Sequence, residues 1–211
     1  GQQFLAADIP GARVLIDPKL QFTRDAERMS LQGDVRIPSA NIDLQKLPRS
    51  QSSTKISSDV VVVDAQTQQQ EAQSEAMPLQ AAVQVTLGEN VVLAGFGLDA
   101  KVTGQLLVRE APGAPTTGSG EVRVAGTYKA YGQDLTIRQG QLLFAGTPLD
   151  NPRLSIVAVR EVEPVVAGLR VEGSARNPQL TVFSEPPMAQ SNALAYIVTG
   201  KPLNEVGEGE G

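Results

Sequence analysis

The chain has 211 residues, a formal net charge of −5, and no Cys, His or Trp. Without Cys or His it has no disulfides, no thiolate metal sites and no histidine-based acid–base chemistry. Its acidic balance argues against nucleic acid as a partner. No uninterrupted run of about 18 apolar residues is present, so the sequence predicts no membrane-spanning helix, and no signal peptide is visible. The chain opens on Gly1 and not on Met, so we expect it to be a piece of a longer protein.

Residues 1–47 are predicted to form β-strands. Apolar and polar residues alternate through most of this range with a period of two, which is typical of a strand with one apolar face. We interpret Pro18, Gly33 and Pro38 as breaks between short strands.

Residues 48–82 are predicted to be a low-complexity insertion or a disordered linker. The stretches Ser50–Thr54 and Gln66–Glu71 are polar, and such segments bury too little apolar area to offset an ordering entropy of roughly 1–2 kcal/mol per residue. Within the linker, Val60–Val63 is interpreted as an isolated strand. A disordered tail is predicted over residues 203–211.

Residues 83–187 are predicted to be the main part of the sheet, because two phrases recur that combine a turn residue with alternating apolar positions. The phrase Asx-Pro-x-Leu-x-apolar begins at Asp17, Asn151 and Asn177, and the phrase Gly-x-apolar-x-apolar begins at Gly33, Gly104, Gly120 and Gly140. Each phrase is interpreted as a corner followed by a strand. A chain that repeats the same corner and face builds one long apolar surface, strand by strand.

Residues 188–202 are predicted to contain one short helix, from about Gln190 to Thr199. Leu194, Ile197 and Val198 recur at helical spacing, and Gly200 supplies a C-terminal stop. A helix this short is marginal alone and must dock on another surface. It is either a lid over the end of the sheet or a helix that binds a partner.

No motif in the sequence predicts catalysis, a cofactor or a metal. Gly95–Ala100 matches G-x-G-x-x-A, but a strand follows it instead of the helix that a dinucleotide site requires. Most of the available carboxylates lie beside Gly or Pro or on the polar face, and they are interpreted as solvated turn residues: Asp17, Asp25, Asp34, Asp43, Asp99 and Asp134. With no acid–base constellation, we predict that the chain is not an enzyme.

Several longer phrases occur in the second half of the chain. They are Gly95–Ala100, Gly126–Ile137 with Gly140, Pro148–Pro152, Phe183–Pro187, Ala193–Leu194 and Thr199–Pro202. In this order they resemble the C-terminal domain of the TamB family, relatives of the AsmA-like periplasmic proteins. The resemblance covers about residues 83 to 203, whereas residues 30–64 match more loosely and the Gln-rich stretch looks like an insertion.

The resemblance implies an all-β fold of the β-taco type, a long curved sheet folded over itself with an apolar interior groove. It also implies a Gram-negative protein that is anchored in the inner membrane by an N-terminal helix, crosses the periplasm and meets TamA, an outer-membrane barrel of the Omp85 class. The implied roles are assembly of outer-membrane proteins such as autotransporters and transport of phospholipid between the two membranes. We expect the anchor and the final barrel-directed segment to lie outside this chain. Ala189 stands where relatives often place a Ser that caps the helix.

The alternating apolar positions have two interpretations. From the alternation alone, a sealed sandwich core is the simpler one, whereas the resemblance favours a groove for phospholipid acyl chains, with no cofactor. The predicted groove residues are Leu20, Phe22, Val35, Ile37, Val83, Val85, Leu87, Val102, Leu106, Val108, Val122, Val124, Leu135, Ile137, Leu142, Phe144, Leu154, Ile156, Leu169, Val171, Leu180 and Val182. Two other hypotheses stay open: a chaperone-like scaffold that receives unfolded outer-membrane β-strands at a sheet edge, and a secreted β-solenoid with an adhesive or enzymatic role.

Overall fold

The structure, a computed structural model, describes residues 4–25, 28–47 and 78–203. The predicted strand at Val60–Val63, most of the predicted linker and nearly all of the predicted tail lie outside these residues. The division into sheet, linker and tail therefore stays a prediction there.

Within the described residues, ten strands form one sheet in the order of the chain, and one helix follows them. The elements are β1 (Phe4–Ile9), β2 (Ala12–Arg24), β3 (Met29–Asp43), β4 (Leu79–Gly95), β5 (Leu98–Glu110), β6 (Thr117–Ala130), β7 (Gln133–Pro148), β8 (Arg153–Val162), β9 (Val165–Ser174), β10 (Asn177–Glu185) and α1 (Gln190–Thr199). Every neighbouring pair is antiparallel except β3 and β4, which run parallel. The sheet is curved and does not close, which confirms the predicted β-taco with its short C-terminal helix.

The strands are longer than the sequence predicts. Pro18, Gly33 and Pro38 lie inside β2 and β3, so the interpretation of these residues as breaks is wrong. The register shifts beside both prolines, between Leu15 and Asp17 and between residues 37 and 39. A bulge of this kind accommodates a residue without a donor and lets the strand continue.

The predicted corners are correct for two phrases and wrong for the others. β8 begins directly after Asn151-Pro152, and β10 begins at Asn177. Asp17 and all four glycines of the second phrase instead lie within strands. β4 also begins earlier, at Leu79, than the predicted boundary at residue 83.

The strand glycines bring neighbouring backbones together and help to curve the sheet. Gly104 and Gly120 have φ angles of 138° and 142°, which side chains of L-residues rarely adopt. A Cβ at Gly104 would meet the carbonyl oxygen of Glu121, and one at Gly120 would meet that of Gln105. Glycine at such positions permits the close approach and the local bend that a curved sheet needs.

The sheet has two ends that differ in what covers them. One end, here called the helix end, carries the β4–β5, β6–β7 and β8–β9 turns, and α1 packs against β8, β9 and β10 beside it. The opposite end, here called the far end, carries the β5–β6, β7–β8 and β9–β10 turns.

Candidate functional site: the apolar face of the sheet

The pairing register places every predicted groove residue on the same face of the sheet, here called the apolar face; the opposite face is the polar face. One ladder across this face joins residues of β3 to β7: Val35, Val85, Leu106, Gly120 and Phe144. A second ladder joins residues of β7 to β10: Gly140, Ile156, Val171 and Leu180. Directly paired residues project to the same side of a sheet, so the recurring alternation of the sequence produces one continuous surface.

A bulge in β7 keeps this surface continuous. Leu135 and Ile137 are odd-numbered and Leu142 and Phe144 are even-numbered, yet all four have partners on the apolar face. The register shift between Ile137 and Gln139 supplies the extra residue. The period of two alone therefore does not identify which residues of β7 lie on the apolar face. The apolar character of the side chains does identify them.

The apolar face is only partly covered. Four of the predicted residues are buried, namely Val102, Leu135, Ile137 and Phe144. Three are exposed, with Leu20 at 43%, Phe22 at 59% and Leu180 at 64%. The others are half-buried. In a sealed sandwich the opposing layer would bury most of them, so the face is accessible along much of its length.

Charged side chains are confined to the margins of this face. Among strand residues with a register partner, the apolar face carries a charge only at Arg24, Glu110 and Arg160, each at or near a strand end. The polar face carries the ionic residues of the strand interiors, including Arg123, which bonds Glu121 at 2.7 Å. The middle of the apolar face is therefore a hydrocarbon surface with charge only at its rim.

Helix α1 lies on the apolar face at the helix end. Ile197 is fully buried, and it packs in a cluster with four alanines of the sheet: Ala100, Ala130, Ala158 and Ala167. Leu135 and Ile137 belong to the same cluster. The helix itself packs against β8, β9 and β10, where the small residues Ala158 and Ala167 leave space for it. The predicted lid therefore does lie on the sheet. Of the three residues whose spacing predicted the helix, Ile197 is buried, whereas Leu194 is 38% exposed.

The two ends of α1 are held differently. At its C-terminus, Arg160 Nη1 donates to the carbonyl oxygens of Ile197 at 2.7 Å and Tyr196 at 3.2 Å. A cation there also complements the negative end of the helix dipole. Gly200 adopts the left-handed cap conformation that the sequence predicts. At the N-terminus, Ala189 gives no side-chain cap, so the first turn is the less strongly held end.

A small cluster on the polar face was missed by the sequence analysis. Val159 is only 1% exposed although it lies on the polar face. The Phe183 ring lies against Gly168, whose missing Cβ would come within 2.8 Å of it, and the Arg170 guanidinium lies 5.2 Å from the ring centroid. Glycine opposite an aromatic residue on the next strand is the signal that predicts such a cluster.

Ion pairs lie in turns at both ends of the sheet. At the far end, Arg176 Nη2 bonds Asp150 Oδ2 at 2.6 Å and ties the β9–β10 turn to the β7–β8 turn. This hydrogen bond and the positive charge of Arg176 lower the pKa of Asp150. At the helix end, the hydrogen bond from Lys46 likewise lowers the pKa of Asp43. The Arg176–Asp150 pair is exposed and Asp43 is half-buried, and both pairs stabilise turns at the margin of the apolar face.

In the part of the chain that the structure describes, no helix has the length and apolarity needed to cross a bilayer. In the same ranges, no three side chains of His, Cys, Asp or Glu lie together in a way that could hold a metal ion. The apolar face is therefore the candidate site.

A single curved open sheet with one uncharged aliphatic face, closed at one end by a helix, defines a protein of the β-taco class. The sequence profile of the TamB C-terminal domain matches residues 1–211. The chain is also 31% identical over 218 residues to the translocation and assembly module subunit TamB of Haemophilus influenzae. The chain belongs to the TamB family. The match covers 95% of this chain and 16% of the length of that relative.

Proposed function

We propose that this domain holds the acyl chains of phospholipid on its apolar face and conducts lipid between the inner and outer membranes. It does so as a periplasmic part of a TamB-like protein anchored in the inner membrane. The observation that carries the proposal is the continuous aliphatic surface, half-buried and free of charge between its margins. Within the described ranges no second sheet packs against it.

The dimensions of the sheet suit this role. Ten strands about 4.8 Å apart make a face roughly 43 Å long, whereas the hydrocarbon core of a bilayer, which two acyl chains span, is about 30 Å thick. Each CH₂ removed from water contributes about 0.8 kcal/mol. Neighbouring Val, Leu and Ile side chains offer nearly equal environments, so a chain moves along the face without a deep trap. The headgroup remains in water at the margin, where the charged residues lie.

The family membership supports an assembly role as well. The Haemophilus relative is named as a subunit of a translocation and assembly module. We extend this to the present chain: the domain supports outer-membrane protein assembly together with a TamA-type barrel of the Omp85 class. No reaction is required of it, because neither conduction nor assembly breaks a covalent bond.

A second candidate function is capture of unfolded outer-membrane strands by edge pairing. The observation that favours it is the open sheet, which leaves β1 and β10 with one neighbour each. An edge strand presents unpaired backbone groups to an incoming strand. In this case backbone pairing at the edge is decisive, and side chains in the middle of the apolar face contribute little.

Photo-crosslinking in cells tests the two candidates. A photoreactive residue replaces Leu106 or Ile156 on the apolar face, and the matched control replaces Leu143, which is 47% exposed on the polar face. Mass spectrometry of the adducts is expected to identify phospholipid at Leu106 and Ile156 and none at Leu143. Outer-membrane protein adducts from a photoreactive residue at Leu180, which is 64% exposed on the edge strand β10, with no lipid adduct from Leu106 or Ile156, favour the edge scaffold. Equal lipid labelling from Leu106, Ile156 and Leu143 contradicts conduction along the apolar face.

A further inference from the structure

Two hairpin turns at the helix end have the same unusual conformation. The β4–β5 turn contains Phe96 and Gly97 with φ angles of 52° and 89°, and the β6–β7 turn contains Tyr131 and Gly132 with φ angles of 53° and 79°. Positive φ at both central residues is typical of a type I′ turn, whose first position prefers Asn, Asp or Gly. A bulky aromatic residue is strained there.

The strain is not offset by packing of the rings inside the protein. Phe96 is 67% exposed and Tyr131 is 70% exposed. Each turn therefore has an unfavourable backbone conformation and also presents a large apolar surface to solvent. The strained backbone and the exposed rings do not stabilise the fold. Both features are explained if the rings bind something outside the chain.

The two turns lie next to each other and adjoin the apolar face. The backbone N–H of Lys129 donates to the carbonyl oxygen of Gly97 at 2.7 Å, which fixes the two tips side by side. Tyr128, three residues before Tyr131, pairs with Leu98 on the apolar face and is 37% exposed. The exposed aromatic surface is thus continuous with the apolar face.

Charged residues surround the tips. Lys129 lies one residue before the second turn, with its ammonium 3.6 Å from Asp134, and both side chains are more than half exposed. Lys46 reaches Asp43 in the adjoining turn after β3, where Leu44 lies 3.0 Å from the position of a Cβ on Gly95. Aromatic rings beside flexible ammonium groups form the arrangement found where proteins enter a membrane interface.

We propose that Phe96 and Tyr131 form an anchor that inserts into the interface of a lipid bilayer and places the helix end of the sheet on the membrane. The surface area that the two rings can bury indicates whether they contact a bilayer or another protein. Two rings bury at most about 150–250 Å² each, well below the roughly 800 Å² per partner of a stable protein interface. Two narrow projecting tips can insert into a bilayer interface, because a bilayer accepts inserted rings without a surface of complementary shape. The anchor does not require lipid on the apolar face, so it stands or falls separately from the proposed function.

Tryptophan fluorescence tests the anchor directly, because the chain contains no Trp. The variants Phe96→Trp and Tyr131→Trp each place one fluorophore at a tip, and Leu143→Trp places one on the polar face as control. With vesicles of phosphatidylethanolamine and phosphatidylglycerol, we expect the emission of both tip variants to shift to shorter wavelength. Lipids brominated on the acyl chain should then quench it, and the control should show neither effect. No shift at either tip, or the same shift in the control, overturns the proposal.

A second variant separates anchoring from folding. The double change Phe96→Asn with Tyr131→Asn supplies the residue that the turns prefer, so the Tm should stay the same or rise. Co-sedimentation with the same vesicles should weaken about tenfold or more, corresponding to at least ~1.4 kcal/mol. Unchanged sedimentation overturns the anchor. The proposal is also overturned if a purified outer-membrane barrel shifts the tip fluorescence and the vesicles do not, because the tips would then bind a protein and not a bilayer.

Discussion

A charge placed on the apolar face distinguishes an accessible surface from a sealed core. Leu106 pairs with Val85 and Gly120 in the middle of the face and is half-buried. We expect Leu106→Arg to leave the domain folded and to abolish the lipid adducts that form from a photoreactive residue at Ile156. Leu135 lies on the same face at the helix end, where its exposure is 0%. The variant Leu135→Arg is the matched control, with the same chemical change at a sealed position.

The expected magnitudes differ because water reaches one site and not the other. Complete burial of a Leu side chain contributes about 1.5–3 kcal/mol, so the half-buried Leu106 loses about 1 kcal/mol. Its replacement extends the guanidinium to solvent, giving a total of about 1–2 kcal/mol and a fall in Tm of about 3–6 °C. At Leu135 the lost packing costs about 2–5 kcal/mol, and an unpaired buried charge adds several more. That sum reaches the total stability of a typical domain, about 5–15 kcal/mol.

Circular dichroism melts of both variants give the comparison. A native β spectrum with a modest fall in Tm for Leu106→Arg, and loss of the spectrum for Leu135→Arg, agree with an accessible face. If both variants lose the β spectrum together, Leu106 lies in a sealed core and the reasoning is refuted.

Three further predictions follow from the helix, the glycines and the ion pairs. Ile197→Ala should cost about 2–4 kcal/mol and raise hydrogen exchange throughout α1, whereas Leu194→Ala on the exposed side of the helix should stay within about 0.5 kcal/mol; equal effects would mean that α1 is not docked as described. Gly104→Ala should lower the Tm more than Gly113→Ala, because both have positive φ but nothing lies within 4 Å of a Cβ at Gly113, and equal losses would remove the role assigned to close strand approach. The lowered pKa of Asp150 means that its ion pair stabilises the fold above the ordinary aspartate pKa of about 3.9 and stops doing so as the pH falls through the lower folded value. Denaturation as a function of pH should therefore show Asp150→Asn to be less stable than the parent near neutrality and equal to it in strong acid, and a constant difference would contradict the assignment.

Much of the apolar face was predictable from the sequence because its information is local. Between bulges, a period of two fixes which side chains share a face within a strand, and an apolar residue at one position predicts its paired neighbour. Strand lengths were less predictable. Gly33 and Pro38 normally interrupt strands, and only the cross-strand partners show that β3 continues through them.

Features that depend on contacts between distant residues were outside the reach of the sequence. The buried cluster that includes Ile197 draws Ala100, Ala130, Ala158 and Ala167 from four different strands, and an isolated Ala carries no pattern that identifies its partner. The strained tips at Phe96 and Tyr131 were likewise not identified from the sequence. Their backbone strain and their exposure are known only from the φ angles and the accessible surface of the folded chain, and the sequence gives neither.

The central claim is that acyl chains occupy the apolar face. Methyl NMR of the isotope-labelled chain during titration with a short-chain phospholipid tests it most directly. We expect shifts at apolar-face methyl groups such as those of Val85, Leu106 and Ile156, with little change at Leu107 and Leu143, which lie on the polar face of the same sheet. Shifts of equal size on both faces, or none on the apolar face at saturating lipid, would contradict the account.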